Sequence, residues 1–174
     1  MRLRSRPQLN RRQFMAGSAG LAAIALSGVG DEARAQLAAG AAQALASSEL
    51  IYLSPLRSDG SLSRCQAEVW FAYSDGDVFV VTANDAWRAR AVGRGLQATQ
   101  LWVGDVGQWA SSDGAYLRLP SLRADASLVT DIVAQAKVLE VMGGKYQREW
   151  SSWGPRFRNG LANGSRVMLR YRLA

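Results

Sequence analysis

The sequence predicts an α+β domain that is mainly antiparallel β-sheet, and three observations carry that prediction. From Leu50 onward, short apolar runs are separated by turn residues, the pattern of a compact antiparallel sheet or barrel. Asp75-Gly76, between two such runs, is a hairpin signal. A few helical stretches, each opened by a capping residue or closed by glycine, interrupt the strands.

The first 35 residues are read as a leader rather than as part of that domain. They run from a basic stretch through an apolar stretch to a small-residue cleavage site. Asn10-Arg11-Arg12-Gln13-Phe14-Met15 resembles a twin-arginine export motif, with Arg11 and Arg12 as the adjacent pair. The apolar stretch, residues 16–29, is shorter than the ~20 residues a membrane-spanning helix needs. Ala33-Arg34-Ala35 fits an A-x-A site, placing cleavage after Ala35, with an uncleaved anchor or basic tail as the alternative. The whole chain has 21 basic and 14 acidic residues, a net charge of +7. Six of the basic residues and two of the acidic ones lie in the leader, so residues 36–174 keep a net charge of only +3. Much of the basicity is therefore a targeting feature, and nucleic acid is not an expected partner.

The remaining residues are of single-domain size. Cys65 is the only cysteine and there is no histidine. Intrachain disulfides, thiolate zinc clusters, imidazole metal ligands and Ser-His or Cys-His catalysis are thereby excluded.

Element by element, residues 36–48 read as a linker or short helix, and residues 49–174 as the folded domain. Residues 50–56 form a first strand. A turn at Ser58-Asp59-Gly60-Ser61 leads into a long second strand over 62–73, with Cys65, Ala67, Val69, Phe71 and Tyr73 on one face and Arg64, Gln66, Glu68 and Trp70 on the other. Residues 78–82 make a third strand. Asn84 or Asp85 caps a helix through 86–92, stopped by Gly93 and Gly95. Residues 96–103 form a fourth strand and 115–119 a fifth. Asp125 opens a helix over 126–142, with Leu128, Ile132, Val133, Ala136, Leu139 and Val141 available for its buried face and Gly143-Gly144 as its stop. A shorter helix over 145–153 ends before Pro155. Asn163-Gly164 turns the chain into a closing strand over 166–173. Gly93, Gly95 and Ala98 have dinucleotide-fingerprint spacing, but with a helix before and a strand after, which is the wrong context.

The feature that points most directly to chemistry is a strand ending in Thr82, a capped turn, and a short helix bearing Arg88 and Arg90. A hydroxyl, free backbone N–H groups and guanidinium donors together suit a phosphate monoester. A solvated basic helix face is the plain alternative for the two arginines, and core packing for Trp70 and Trp87.

On these residues the chain resembles the split-barrel flavoproteins, the pyridoxamine 5'-phosphate oxidase-like proteins and their deazaflavin-dependent relatives. The matching stretches are Leu53-Ser54-Pro55-Leu56-Arg57-Ser58-Asp59-Gly60, Val69-Trp70-Phe71, Asp75-Gly76-Asp77, Val80-Val81-Thr82 and Ala86-Trp87-Arg88-Ala89-Arg90. The resemblance implies an antiparallel split β-barrel of the FMN-binding type. It gives the flavin phosphate to Thr82 and Arg88, with Arg90 as a second basic candidate. Trp70 or Trp87 would border the ring system, and Arg64 and Gln66 are further cofactor-binding candidates. Where the oxidases commonly carry Ser-Arg-Lys, this chain has Ala86-Trp87-Arg88.

The function expected is an exported, periplasmic or secreted flavin-dependent oxidoreductase acting on a small molecule. FMN is the expected cofactor and a deazaflavin the alternative. The partners expected are a second copy of the chain and the twin-arginine translocase. The alternative is a non-catalytic flavin- or haem-binding protein, or an exported interaction module, on the same barrel. Without histidine, the haem version has no imidazole ligand to offer.

Overall fold

The computed structural model describes residues 40–174. Arg11, Arg12 and the cleavage site after Ala35 lie outside the described residues. The first element is helix α1, residues 40–47, which buries Ala41 and Leu45 against the sheet. Seven strands follow: β1 (Ile51–Pro55), β2 (Ala67–Val69), β3 (Ala72–Ser74), β4 (Asp77–Ala83), β5 (Ala98–Val103), β6 (Ser121–Val129) and β7 (Arg166–Leu173). Helix α2 (Trp87–Gly93) lies between β4 and β5, and α3 (Ile132–Lys145) and α4 (Gln147–Ala162) between β6 and β7.

The strands form one sheet in the order β2-β1-β5-β6-β7-β4-β3, every neighbouring pair antiparallel. Its two edges, β2 and β3, are consecutive in the chain and separated only by Trp70 and Phe71. A sheet whose outermost strands are joined by so short a link has to curl on itself, and a half-open barrel results. The interior is filled by Ile51, Leu53, Phe71, Val78, Val80, Leu101, Leu169 and Tyr171. On the outer side, Phe79, Val81 and Met168 pack with Val138, Leu139, Met142 and Phe157 of α3 and α4. A third cluster covers the β1–β5 side with Tyr52, Trp102 and Tyr116.

Several boundaries differ from the sequence expectation, each for a local reason. The long second strand over 62–73 is two short strands at opposite edges of the sheet. The predicted alternation survives, with Val69, Phe71 and Tyr73 on the interior side and Trp70 outside, but the ladder is broken at Phe71. The tyrosine hydroxyl of Tyr146 stands in for the missing strand there, accepting from Phe71 N–H at 2.9 Å.

The helix expected over 126–142 starts later. Ser121–Val129 is β6, with Ala124 and Ala126 turned inward between β5 and β7. The pairing on both sides outweighs the helical spacing of its apolar residues. The cap is Asp131, whose Oδ1 accepts from Ala134 N–H at 2.7 Å, not Asp125. The buried face is therefore Val138, Leu139 and Met142, whereas Ile132 and Val133 are 78% and 60% exposed. Gly143 and Gly144 lie inside α3 rather than ending it.

Helix α4 runs through Pro155 instead of stopping before it. Proline removes the hydrogen bond to the carbonyl of Ser151, but both residues are exposed, so water can replace the donor. The expected fifth strand over 115–119 is a 3-10 turn, Ala115–Arg118, entered through Gly114 at φ 74°. That turn brings Tyr116 onto Tyr52, ring centroids 5.3 Å apart. Neither Asn84 nor Asp85 caps α2. Its N-cap is Ala86, without a side-chain bond, while Asn84 donates to Gly164 O at 2.7 Å and ties the β4–α2 turn to the α4–β7 turn.

Candidate functional site

Thr82 and Arg88, which the resemblance assigns to a flavin phosphate, lie within hydrogen-bond reach of each other. Strand β4 alternates sides, so Val78, Val80 and Thr82 face the barrel interior while Phe79 and Val81 face the helices. One turn into the following segment, Arg88 reaches back and donates from Nε to Thr82 Oγ1 at 2.8 Å. Among the described residues no carboxylate pairs with Arg88, and its terminal N–H groups have no protein acceptor. Helix α2 has only seven residues and no side-chain cap, so anion-binding capacity here rests with Arg88 and Thr82.

Tyr171, in β7, pairs with Val78, four residues along β4 from Thr82, and fills the barrel interior; it had no sequence signal beyond a single aromatic among alternating arginines. Among the described residues its buried hydroxyl has no hydrogen-bond partner. Burial pushes the phenol well above the ordinary tyrosine range, with the Arg88 charge pulling it down and Cys65 pushing it up.

The other predicted residues go elsewhere. Trp87 stays on the α2 surface and carries the guanidinium groups of Arg94 and Arg90, 5.2 and 5.9 Å from its ring centroid. Arg90 is thus engaged with an indole rather than with Thr82. Arg64 is exposed. Gln66 accepts from the hydroxyl of Tyr116, and Glu68 accepts from Trp109 N–H at 3.1 Å, both on the β1–β5 side.

Trp70 points to the helix side, opposite to Thr82. It stacks on Tyr146 with centroids 4.4 Å apart and planes 6° from parallel, and meets Trp153 edge-on at 5.9 Å. A cavity of about 320 Å³ opens there, lined by Val69, Trp70, Val81, Trp153, Phe157 and Arg166. Beside it, Lys145 lies with Nζ 3.2 Å from the centre of the Phe71 ring and donates to Phe71 O at 3.3 Å. Burial lowers this amine to about 8, against an opposing pull from Glu49. A larger cavity, about 720 Å³, lies between α3 and α4 with Ile132, Gln135, Leu139 and Trp150 among its walls.

No protein-family model and no curated protein matches the chain. Solved structures do. The haem storage protein HutZ of Vibrio cholerae superposes with a TM-score of 0.54 at 12% identity, over 79% of this chain and 90% of that one. The chain has the split-barrel fold. A conserved hypothetical protein of Mycobacterium tuberculosis gives 0.53 at 19% identity over 76% and 77% of the two chains. A candidate pyridoxamine 5'-phosphate oxidase of Listeria innocua gives 0.50 at 12% over 79% and 93%. At such identities the split barrel shares its architecture with these proteins, and its chemistry has to be argued from its own residues.

Proposed function

We propose that this split barrel is an exported flavin-dependent oxidoreductase, with FMN, or alternatively a deazaflavin, as its cofactor. The observation that carries the reading is the Arg88–Thr82 hydrogen bond of 2.8 Å, which fixes a guanidinium whose remaining donors have no protein acceptor among the described residues. That donor set fits a phosphate monoester, because a planar fork of N–H groups can engage two phosphate oxygens at once. The bound flavin would supply hydride or electron transfer to a small molecule, while the protein binds and orients it.

The ring system is less well provided for, since Trp70 lies on the other side of β4 and Trp87 carries two arginines. Exposed Leu128, Ile132 and Val133 at the β6–α3 junction suit burial against a second copy, which supports a homodimer whose partner could complete the ring site. The twin-arginine motif supports export by the twin-arginine translocase to a periplasmic or secreted location, with a cofactor loaded before export.

The test is the visible spectrum of protein purified after expression of the full chain, alongside Thr82→Val and Arg88→Ala. Flavin or deazaflavin bands in the parent, lost or weakened at least about tenfold in affinity in Arg88→Ala, are the expected result. Protein that takes up neither cofactor overturns the reading. Likeness to HutZ favours a second one, a non-catalytic haem- or flavin-binding barrel. A Soret band, or bound flavin that no reductant turns over, would select it.

A further inference from the structure

We propose that the cavity on the helix side of β4 is a binding site for a small planar aromatic carboxylate, separate from the Arg88–Thr82 end of the barrel. Three of its walls are aromatic: Trp70, Trp153 and Phe157. At about 320 Å³ it lies at the small end of ligand pockets, the size for one or two fused rings. Val81 and the edge of Val69 supply aliphatic wall, and among the described lining residues Arg166 is the only charged one, while Arg156 also lies 5.2 Å from the Trp153 ring centroid.

Arg166 is held in place by the fold. Gly160 of α4 is buried, and a methyl group there would come within 2.6 Å of Arg166 Cδ and 2.7 Å of Cγ. The missing side chain is the groove in which the arginine stem lies. The guanidinium carbon then sits 5.3 Å from the Phe157 centroid and 5.9 Å from that of Trp153. Contact with ring faces leaves the N–H edge of a guanidinium free. Among the described residues no carboxylate and no hydrogen-bond acceptor takes that edge. A fixed cation with an open edge, at the mouth of an aromatic slot, complements a flat ring bearing a carboxylate.

The site is distinct from the flavin reading because Val81 and Thr82 are adjacent on β4 and point to opposite sides. Each can fail without the other.

The experiment titrates the purified full-length protein with 2-naphthoate and with its neutral counterpart 2-naphthamide, by calorimetry and by the indole N–H resonances of isotope-labelled protein. The expected result is one naphthoate per chain, bound at least about tenfold tighter than the amide, with the Trp70 and Trp153 resonances shifting and that of Trp102 unmoved. Arg166→Gln should erase the preference for the acid, and Gly160→Ala should weaken it by displacing the arginine stem. Arg88→Ala should leave it intact. Equal binding of acid and amide, no binding of either, or a preference that survives Arg166→Gln overturns the proposal. Should Arg166→Gln fold poorly, Arg166→Lys keeps the charge but not the fork, and an undiminished preference in that variant overturns it as well.

Discussion

The hydroxyl of Tyr146 closes the seam of the barrel by binding the backbone of Phe71. It accepts from Phe71 N–H at 2.9 Å, and its own proton lies within reach of Glu49 O at 2.8 Å and Phe71 O at 3.0 Å. Phe71 stands where the chain leaves one edge of the sheet for the other, so no strand neighbour is available to it. A buried amide without a partner is costly, and the Tyr146 side chain, at the junction of α3 and α4, removes that cost.

Tyr146→Phe should therefore destabilise the protein by about 2 kcal/mol while preserving the ring that stacks on Trp70. Chemical denaturation gives the magnitude. Hydrogen exchange gives the location, with faster exchange expected at the Phe71 amide and little change in β7.

Lys145 should make stability rise with pH in a defined window. Its folded-state value is about 8, against about 10.4 for an unfolded lysine. Below 8 both states hold the proton, and the cost of burying the charge is fully present. Between about 8 and 10 the folded state has released a proton that the unfolded state retains, so stability increases with pH. The slope stays below about 1.4 kcal/mol per pH unit, since solvent screens this partly exposed amine. Above about 10 the trend reverses, because Tyr146 and Tyr171 titrate above the ordinary tyrosine value through burial and keep protons the unfolded chain loses. Lys145→Met should flatten the rise between pH 8 and 10 in urea melts, and an unchanged slope would contradict the assignment.

Tyr171→Phe should stabilise the cofactor-free protein by about 1 kcal/mol or more, because it removes a buried hydroxyl that has no partner among the described residues. If the hydroxyl instead serves a molecule held by Arg88, the same variant loses affinity for that molecule in the protein as purified. Comparing melts of cofactor-free and cofactor-loaded samples measures both effects.

The hairpin at Asp75-Gly76 was legible because the signal is local. Both residues adopt positive φ, 53° and 80°, and Ser74 pairs with Asp77 across them. Strand β4, helix α2 and strand β7 were legible for the same reason, each being bounded by turn residues. Asp125 and Asp131 carry the same capping chemistry, and only the pairing of β6 with β5 and β7 decides between them. Pro155 looked like a stop because its position on the exposed side of α4 is a tertiary fact.

By itself, then, the sequence determined the α+β class and the exclusion of histidine and disulfide chemistry, since each depends on composition or on residues close together in the chain. The tertiary structure decided where the long second strand breaks, on which side of β4 Trp70 lies, and that Arg166, 96 positions beyond Trp70, completes the aromatic cavity. The reason is physical. Alternation along a strand specifies two sides, but only the closing of the barrel and the packing of α3 and α4 determine what each side meets.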